Sequence, residues 1–108
     1  MVTPDLIGLY RAVSANELAD IIATGEYRIP PGGVEGKYFA LSPDDARYFK
    51  DRVILDAEAI VQSSVSHGTF NQLERGIFDQ RSGVFATPGT LATVNSDALR
   101  FGGIRRLE

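Results

Sequence analysis

The chain contains no cysteine and one histidine, His67. Without cysteine there is no disulfide, no thiolate nucleophile and no thiolate metal site, and folding is indifferent to the redox compartment. One histidine excludes a multi-histidine zinc centre, so no metal cofactor is expected. No run of 18 apolar residues exists, so no membrane span is expected. No basic and apolar leader opens the sequence, and no signal peptide is expected in it. Gly32-Gly33 and Gly102-Gly103 match no phosphate-loop pattern, and no serine-histidine-acid triad follows from spacing. Internal repeats and low-complexity tracts are also missing.

What is present is enough for one core. The 108 residues suit a single domain. A chain of this size buries roughly 65% of its unfolded surface and folds without staples. Hydrophobic residues make up 44% and charged residues 23%, as in ordinary globular domains. The net charge of −3 argues against a general nucleic-acid binder. Charge is uneven, however. Residues 1–60 carry 6 Lys/Arg against 10 Asp/Glu, and residues 61–108 carry 5 Arg against 4 acids. Arg75, Arg81, Arg100, Arg105 and Arg106 would be surface charges or a local anion-binding face.

The pattern predicts alternating strands and helices in the first half. Leu6–Val13 reads as a buried strand. Ser14-Ala15-Asn16-Glu17 is a capping box ahead of a helix over 15–24, with Leu18, Ile21 and Ile22 on one face and Gly25 as its stop. Glu26–Ile29 reads as a short edge strand, and Pro30–Gly33 as a loop. Lys37–Leu41 is a second core strand. Ser42-Pro43-Asp44-Asp45 then starts a helix running to about Arg52: a hydroxyl cap, a proline in the first turn, and two acids at the positive helix end.

The second half reads mostly as strands. Ala59–Ser66 is one. Phe70, Leu73, Ile77 and Phe78 carry helical spacing that Gly68 and Gly76 interrupt. Gly83–Ala86 and Thr90–Val94 read as strands about a Pro88-Gly89 turn. Ala98–Phe101 and Ile104–Leu107 read as a hairpin about Gly102-Gly103. The expected class is α+β: a mainly antiparallel sheet with two capped helices from the N-terminal half packed on it.

Several side chains have chemistry to offer. Arg11 ends an apolar strand stretch, where a rigid guanidinium could grip phosphate with two parallel hydrogen bonds, or could simply pair with a local acid. Ser42 closes the neighbouring strand, although helix capping alone accounts for it. His67, in Ser66-His67-Gly68-Thr69, is the one side chain whose ordinary pKa is near neutrality, and so a candidate general acid or base. Glu74, in Gln72-Leu73-Glu74, could stabilise an electron-poor sugar carbon, or simply pair with Arg75 or Arg81. Tyr10, Tyr27, Tyr38 and Tyr48 offer rings that stack on a nicotinamide or a nucleobase, or pack in the core.

Leu9-Tyr10-Arg11-Ala12-Val13-Ser14, Glu17–Ile21, Thr24-Gly25 and Gly36–Ser42 with Ala46 together resemble the small toxin domains that end bacterial polymorphic effectors, of the contact-dependent inhibition and Rhs types. The likeness covers residues 6–50. The same order is similar to the ADP-ribosyltransferase superfamily: a first-strand arginine, a serine-bearing strand, and a glutamate in a Gln-x-Glu stretch, matched here by Arg11, Ser42 and Glu74. Of the Ser-Thr-Ser strand only Ser42 is matched.

This resemblance implies NAD as substrate, for ADP-ribosyl transfer or hydrolysis. Arg11 would hold the pyrophosphate, Ser42 the ribose, and Glu74 the cationic sugar. It also implies delivery into a target cell as part of a larger secreted or cell-surface effector, and a cognate immunity protein. The alternative is a metal-independent ribonuclease toxin of the barnase, EndoU, colicin or RelE-like kind. There His67 would be the acid or base, Arg11 or Arg75 would hold the scissile phosphate, and Thr69 or a tyrosine would assist. A third reading is a small binding module without catalysis.

Overall fold

Leu6–Ser14 (β1) carries apolar residues on both sides, as a central strand must. It pairs antiparallel with Ala57–Ser66 (β3) from Leu6↔Ser66 to Ser14↔Ala57, and on its other side with Lys37–Ala40 (β2) at Tyr10↔Ala40. The computed structural model describes residues 5–29 and 36–108. Beyond β2 lie Arg81–Ala86 (β5) and Glu74–Phe78 (β4), and beyond β3 lies Arg105–Arg106 (β6). The result is one six-stranded antiparallel sheet in the order β4-β5-β2-β1-β3-β6. With four helices among the described residues, the class is α+β as expected.

Side-chain alternation divides the sheet into two faces. One face presents Leu9, Val13, Phe39, Val61, Val65 and Val84. It is covered by Ala15–Thr24 (α1) through Leu18 and Ile21, by His67–Phe70 (α3) through Phe70, and by Pro88–Arg100 (α4) through Leu91 and Val94. The other face presents Tyr10, Tyr38, Ala40 and Ile60 and is covered by Pro43–Arg52 (α2) through Ala46. The two expected helices therefore lie on opposite faces of the sheet. Both begin as the sequence indicates: the Ser14 hydroxyl accepts the Glu17 amide, and the Ser42 hydroxyl accepts the Asp45 amide.

Three expectations for the second half are corrected. Thr90–Val94 is not a strand, because Pro88–Arg100 forms α4. Thr87 caps it, Pro88 sits in its first turn, and Leu91, Val94 and Ala98 recur at helical spacing and are buried. Gly102-Gly103 is not a hairpin turn. These glycines end α4 with φ of 116° and 80°, and the Gly103 amide returns to the Ala98 carbonyl at 2.6 Å. Of the expected last hairpin only Arg105–Arg106 remains as a strand, paired with Val61 and Gln62 of β3.

The segment around Gly76 is not helical either. After the single turn of α3 it becomes β4, which closes on β5 through Asp79-Gln80, both at positive φ (47° and 70°). That is the two-residue turn whose twist suits a hairpin, built here without the usual Asn-Gly. Glu26–Ile29 forms no strand. The Asn95 side chain holds it to α4 instead, accepting the Tyr27 amide at 2.7 Å and donating to the Tyr27 carbonyl at 2.8 Å. The Pro30–Gly33 loop lies outside the described residues.

Candidate functional site

Arg11 and Glu17 are brought together by β1 running straight into α1. Arg11 lies on the same face of β1 as Leu9 and Val13, and Glu17 sits in the first turn of the helix folded over that face. The Arg11 Nε and Nη2 donate to the two Glu17 carboxylate oxygens at 2.6 and 2.9 Å, a bidentate pair. Nη1 donates to the Tyr38 carbonyl at 2.9 Å, which ties the guanidinium to β2. Lys37, the first residue of β2, places its Nζ 3.3 Å from Glu17 Oε1. Its side chain is 6% exposed, against 16% for Arg11 and 18% for Glu17.

Glu17 therefore departs from half of its capping-box role. Its amide reaches the Ser14 hydroxyl, but its carboxylate binds the two cations, with no reach back to Ser14 among the hydrogen bonds of the described residues. Burial raises the Glu17 carboxyl, but hydrogen bonding and charge from Arg11, joined by Lys37, outweigh it and leave it below its ordinary value. Burial lowers the Lys37 ammonium, and the neighbouring Arg11 charge lowers it further.

This cluster forms part of a cleft of about 500 Å³, lined among the described residues by Arg11, Ser14, Asn16, Glu17, Asp20, Arg28 and Lys37. Arg28 and Asp20 pair across it at 3.4 Å. The lining has three cations and two carboxylates, so it carries one surplus positive charge. Two spare N–H donors on Lys37 and two on Arg11 are not used by Glu17 or the Tyr38 carbonyl. Chemically, the cleft can accept an oxyanion and place a carboxylate beside it.

The other site residues expected from the sequence do not join Arg11. The register of Tyr10 with Ala40 puts Phe39 opposite Arg11, on the α1 face. Ser42 instead caps α2, which lies on the opposite face, so the frame of Arg11 and Ser42 around one ligand is not formed. Glu74 opposes Phe85, which in turn opposes Tyr38. That row lies on the α2 face, and it puts Glu74 three strand spacings from β1, about 14 Å.

The Tyr38 ring also lies on the α2 face, packed on Phe49 and Phe78 with centroids 4.6 Å away in each case. Its hydroxyl is buried without a hydrogen-bond partner among the described residues, and burial, with Asp45 and Asp79 adding, pushes it up to about 12. Only its backbone carbonyl serves the cleft. His67 follows the Ser66 end of β3, opposite Leu6, five residues from Arg11 along β1, or roughly 17 Å. It is exposed, as is Arg75, which lies over the Phe70 ring at 4.7 Å and donates to Asn71 at 3.3 Å. Thr69 is buried, and its amide is taken by the Ser66 hydroxyl.

Two groups of polar residues escaped the sequence reading. Glu17 reads in sequence as a capping residue, and Lys37 only as the first residue of the Lys37–Leu41 strand. A lysine two residues before Phe39, on the same side of a core strand, was the available signal. The second group is Asp97 of α4, which accepts the Ser66 amide and hydroxyl, each at 2.9 Å. Burial raises the Asp97 carboxyl, but the Ser66 amide and the Thr69 and Ser66 hydroxyls hold it below its ordinary value. This network fastens α3 to α4. No group of three or more His, Asp or Glu suited to a metal ion occurs among the described residues. No protein-family model, curated protein or solved structure matches the chain.

Proposed function

We propose that the chain is a toxin domain of the bacterial polymorphic-effector kind that consumes NAD, with the cleft between α1, β1 and β2 as its dinucleotide site. The observation that carries this reading is the cleft's charge arrangement. Arg11 and Lys37, both largely buried, share the one carboxylate of Glu17, and the described residues of the lining keep a surplus positive charge. The resemblance of residues 6–50 to toxin domains, with an arginine on the first strand, supplies NAD as the bearer of the anion.

The pyrophosphate takes the spare N–H donors of the cluster. Glu17 replaces Glu74 as the carboxylate beside the ribose. As the bond between ribose C1′ and the nicotinamide nitrogen breaks, its electron pair stays on that nitrogen. Nicotinamide leaves neutral and no proton has to be supplied. The electron-poor C1′ is stabilised by the nearby negative charge. It is then captured by water, which releases a proton to solvent, or by a nucleophilic atom of a target. On this reading the domain belongs to a larger secreted or cell-surface effector, acts in the target-cell cytoplasm and is restrained by a cognate immunity protein.

The test is incubation of the purified chain with NAD and, separately, with total tRNA. Release of nicotinamide is expected, and Glu17→Gln should lower kcat by about 10²–10³-fold. Intact NAD alongside cleaved tRNA would reject this reading in favour of the ribonuclease. One observation favours that second reading: His67 and Arg75 are both exposed around α3. In that case His67→Ala abolishes cleavage in a folded protein.

A further inference from the structure

Lys37 is the unusual residue of the cleft. A lysine is rarely this buried without a carboxylate of its own. Here the only acid within ion-pair distance among the described residues is Glu17, and Glu17 is already engaged on both oxygens by Arg11. The Arg11 contacts are short and bidentate, and a third bond fixes the guanidinium to the Tyr38 carbonyl. The Lys37 contact is a single one at 3.3 Å. Among the described residues the carboxylate therefore compensates the arginine first, and the surplus positive charge of the lining resides mainly on the ammonium. A desolvated cation that is only partly compensated gains most from an added anion.

We infer that Lys37 is the residue that receives the phosphate of the cleft's ligand, a phosphate or pyrophosphate ester, and that Glu17 competes with that phosphate for it. This assignment rests on the reading of the cleft as a nucleotide site and adds the contact that reading leaves open. Among the described residues, two of the three Lys37 N–H donors are left for the anion, and Lys37 lines the cleft. Lys37 stands at the start of β2, opposite Ala86 of β5, on the same face as Phe39.

The chain has two lysines, Lys37 and Lys50, which permits a direct measurement on the unaltered protein. Lysine labelled with ¹³C at Cε gives one NMR signal for each. Titration with inorganic pyrophosphate should move the Lys37 signal and leave that of Lys50 of α2 in place. Lys37→Met, which keeps an apolar stem of similar length, should weaken pyrophosphate binding at least about tenfold. Glu17→Gln, which removes the competing carboxylate, should tighten it. A Lys37 signal unmoved at saturating pyrophosphate, or no binding of pyrophosphate at all, overturns the assignment. So does a folded Lys37→Met variant that binds as tightly as the parent. If Lys37→Met does not fold, the titration of the unaltered chain decides alone. Pyrophosphate binding through Lys37 in a protein that leaves NAD intact would retire the NAD reading and keep this one.

Discussion

Glu17 holds two strands and a helix together through one carboxylate, so its ionisation matters to the whole cleft. Its folded-state pKa lies below the ordinary 4.5, so its contribution to stability is present above that value and is lost as pH falls through the folded-state pKa. Urea denaturation between pH 7 and pH 3 should show this loss below about pH 4.5, and Glu17→Gln should flatten that part of the profile. On the opposite face, Tyr38 buries a hydroxyl without a hydrogen-bond partner among the described residues. Tyr38→Phe removes that cost. Its stability in urea should equal or exceed the parent by up to about 1 kcal/mol, and a comparable loss would contradict the packing described. The ring requires Gly83: a Cβ there would come within 2.3 Å of Tyr38 Cε2 and 2.4 Å of its hydroxyl. Gly83→Ala should therefore destabilise the β2–β5 pairing, read as a lowered Tm.

Among the elements, α2 and α4 are built alike. Ser42-Pro43 and Thr87-Pro88 each supply a hydroxyl that accepts an amide three residues on, followed by a proline in the first turn. Ser42→Ala and Thr87→Ala should each cost about 1 kcal/mol in urea denaturation. Ser42→Ala should leave nicotinamide release per folded molecule unchanged, because its hydroxyl is engaged by α2 on the side of the sheet away from the cleft. A selective loss of turnover in this variant would restore the ribose role for Ser42. In α4, Thr90, Thr93 and Val94 favour a strand, while the buried stripe of Leu91, Val94 and Ala98 favours a helix. Burial outweighs intrinsic preference, so the stripe decided.

At the scale of the molecule, the sheet is a wall between two chemistries. The α1 face carries the larger apolar core and the charged cleft, and the α2 face carries Tyr38, Ser42 and the row that ends at Glu74. A ligand in the cleft should shift the backbone amide signals of Arg11, Ser14 to Glu17 and Lys37. It should leave those of Ser42 to Asp45 and of Glu74 in place. ADP-ribose titrated into ¹⁵N-labelled protein provides the measurement, and shifts concentrated at Ser42 and Glu74 would move the site to the other face.

What was legible from chain order alone was whatever depends on neighbours in sequence. The caps at Ser14 and Ser42, the extents of α1 and α2, the apolar strands β1, β2 and β3, and the α+β class all follow from spacings of a few residues. Arg11 was also legible as a cation held rigidly in a core strand. Pairing with a local acid was legible as its alternative, but not which acid. Strand alternation allots each side chain to one of two faces, but which faces α1 and α2 cover depends on how the chain returns across the sheet. That return separated Arg11 from Ser42 and Glu74, and delivered Lys37 to Glu17 across 20 positions of sequence. A buried lysine and a helix-start glutamate each look ordinary in sequence. They become one electrostatic unit only when β2 is laid beside β1, because charge interacts through space and not along the chain.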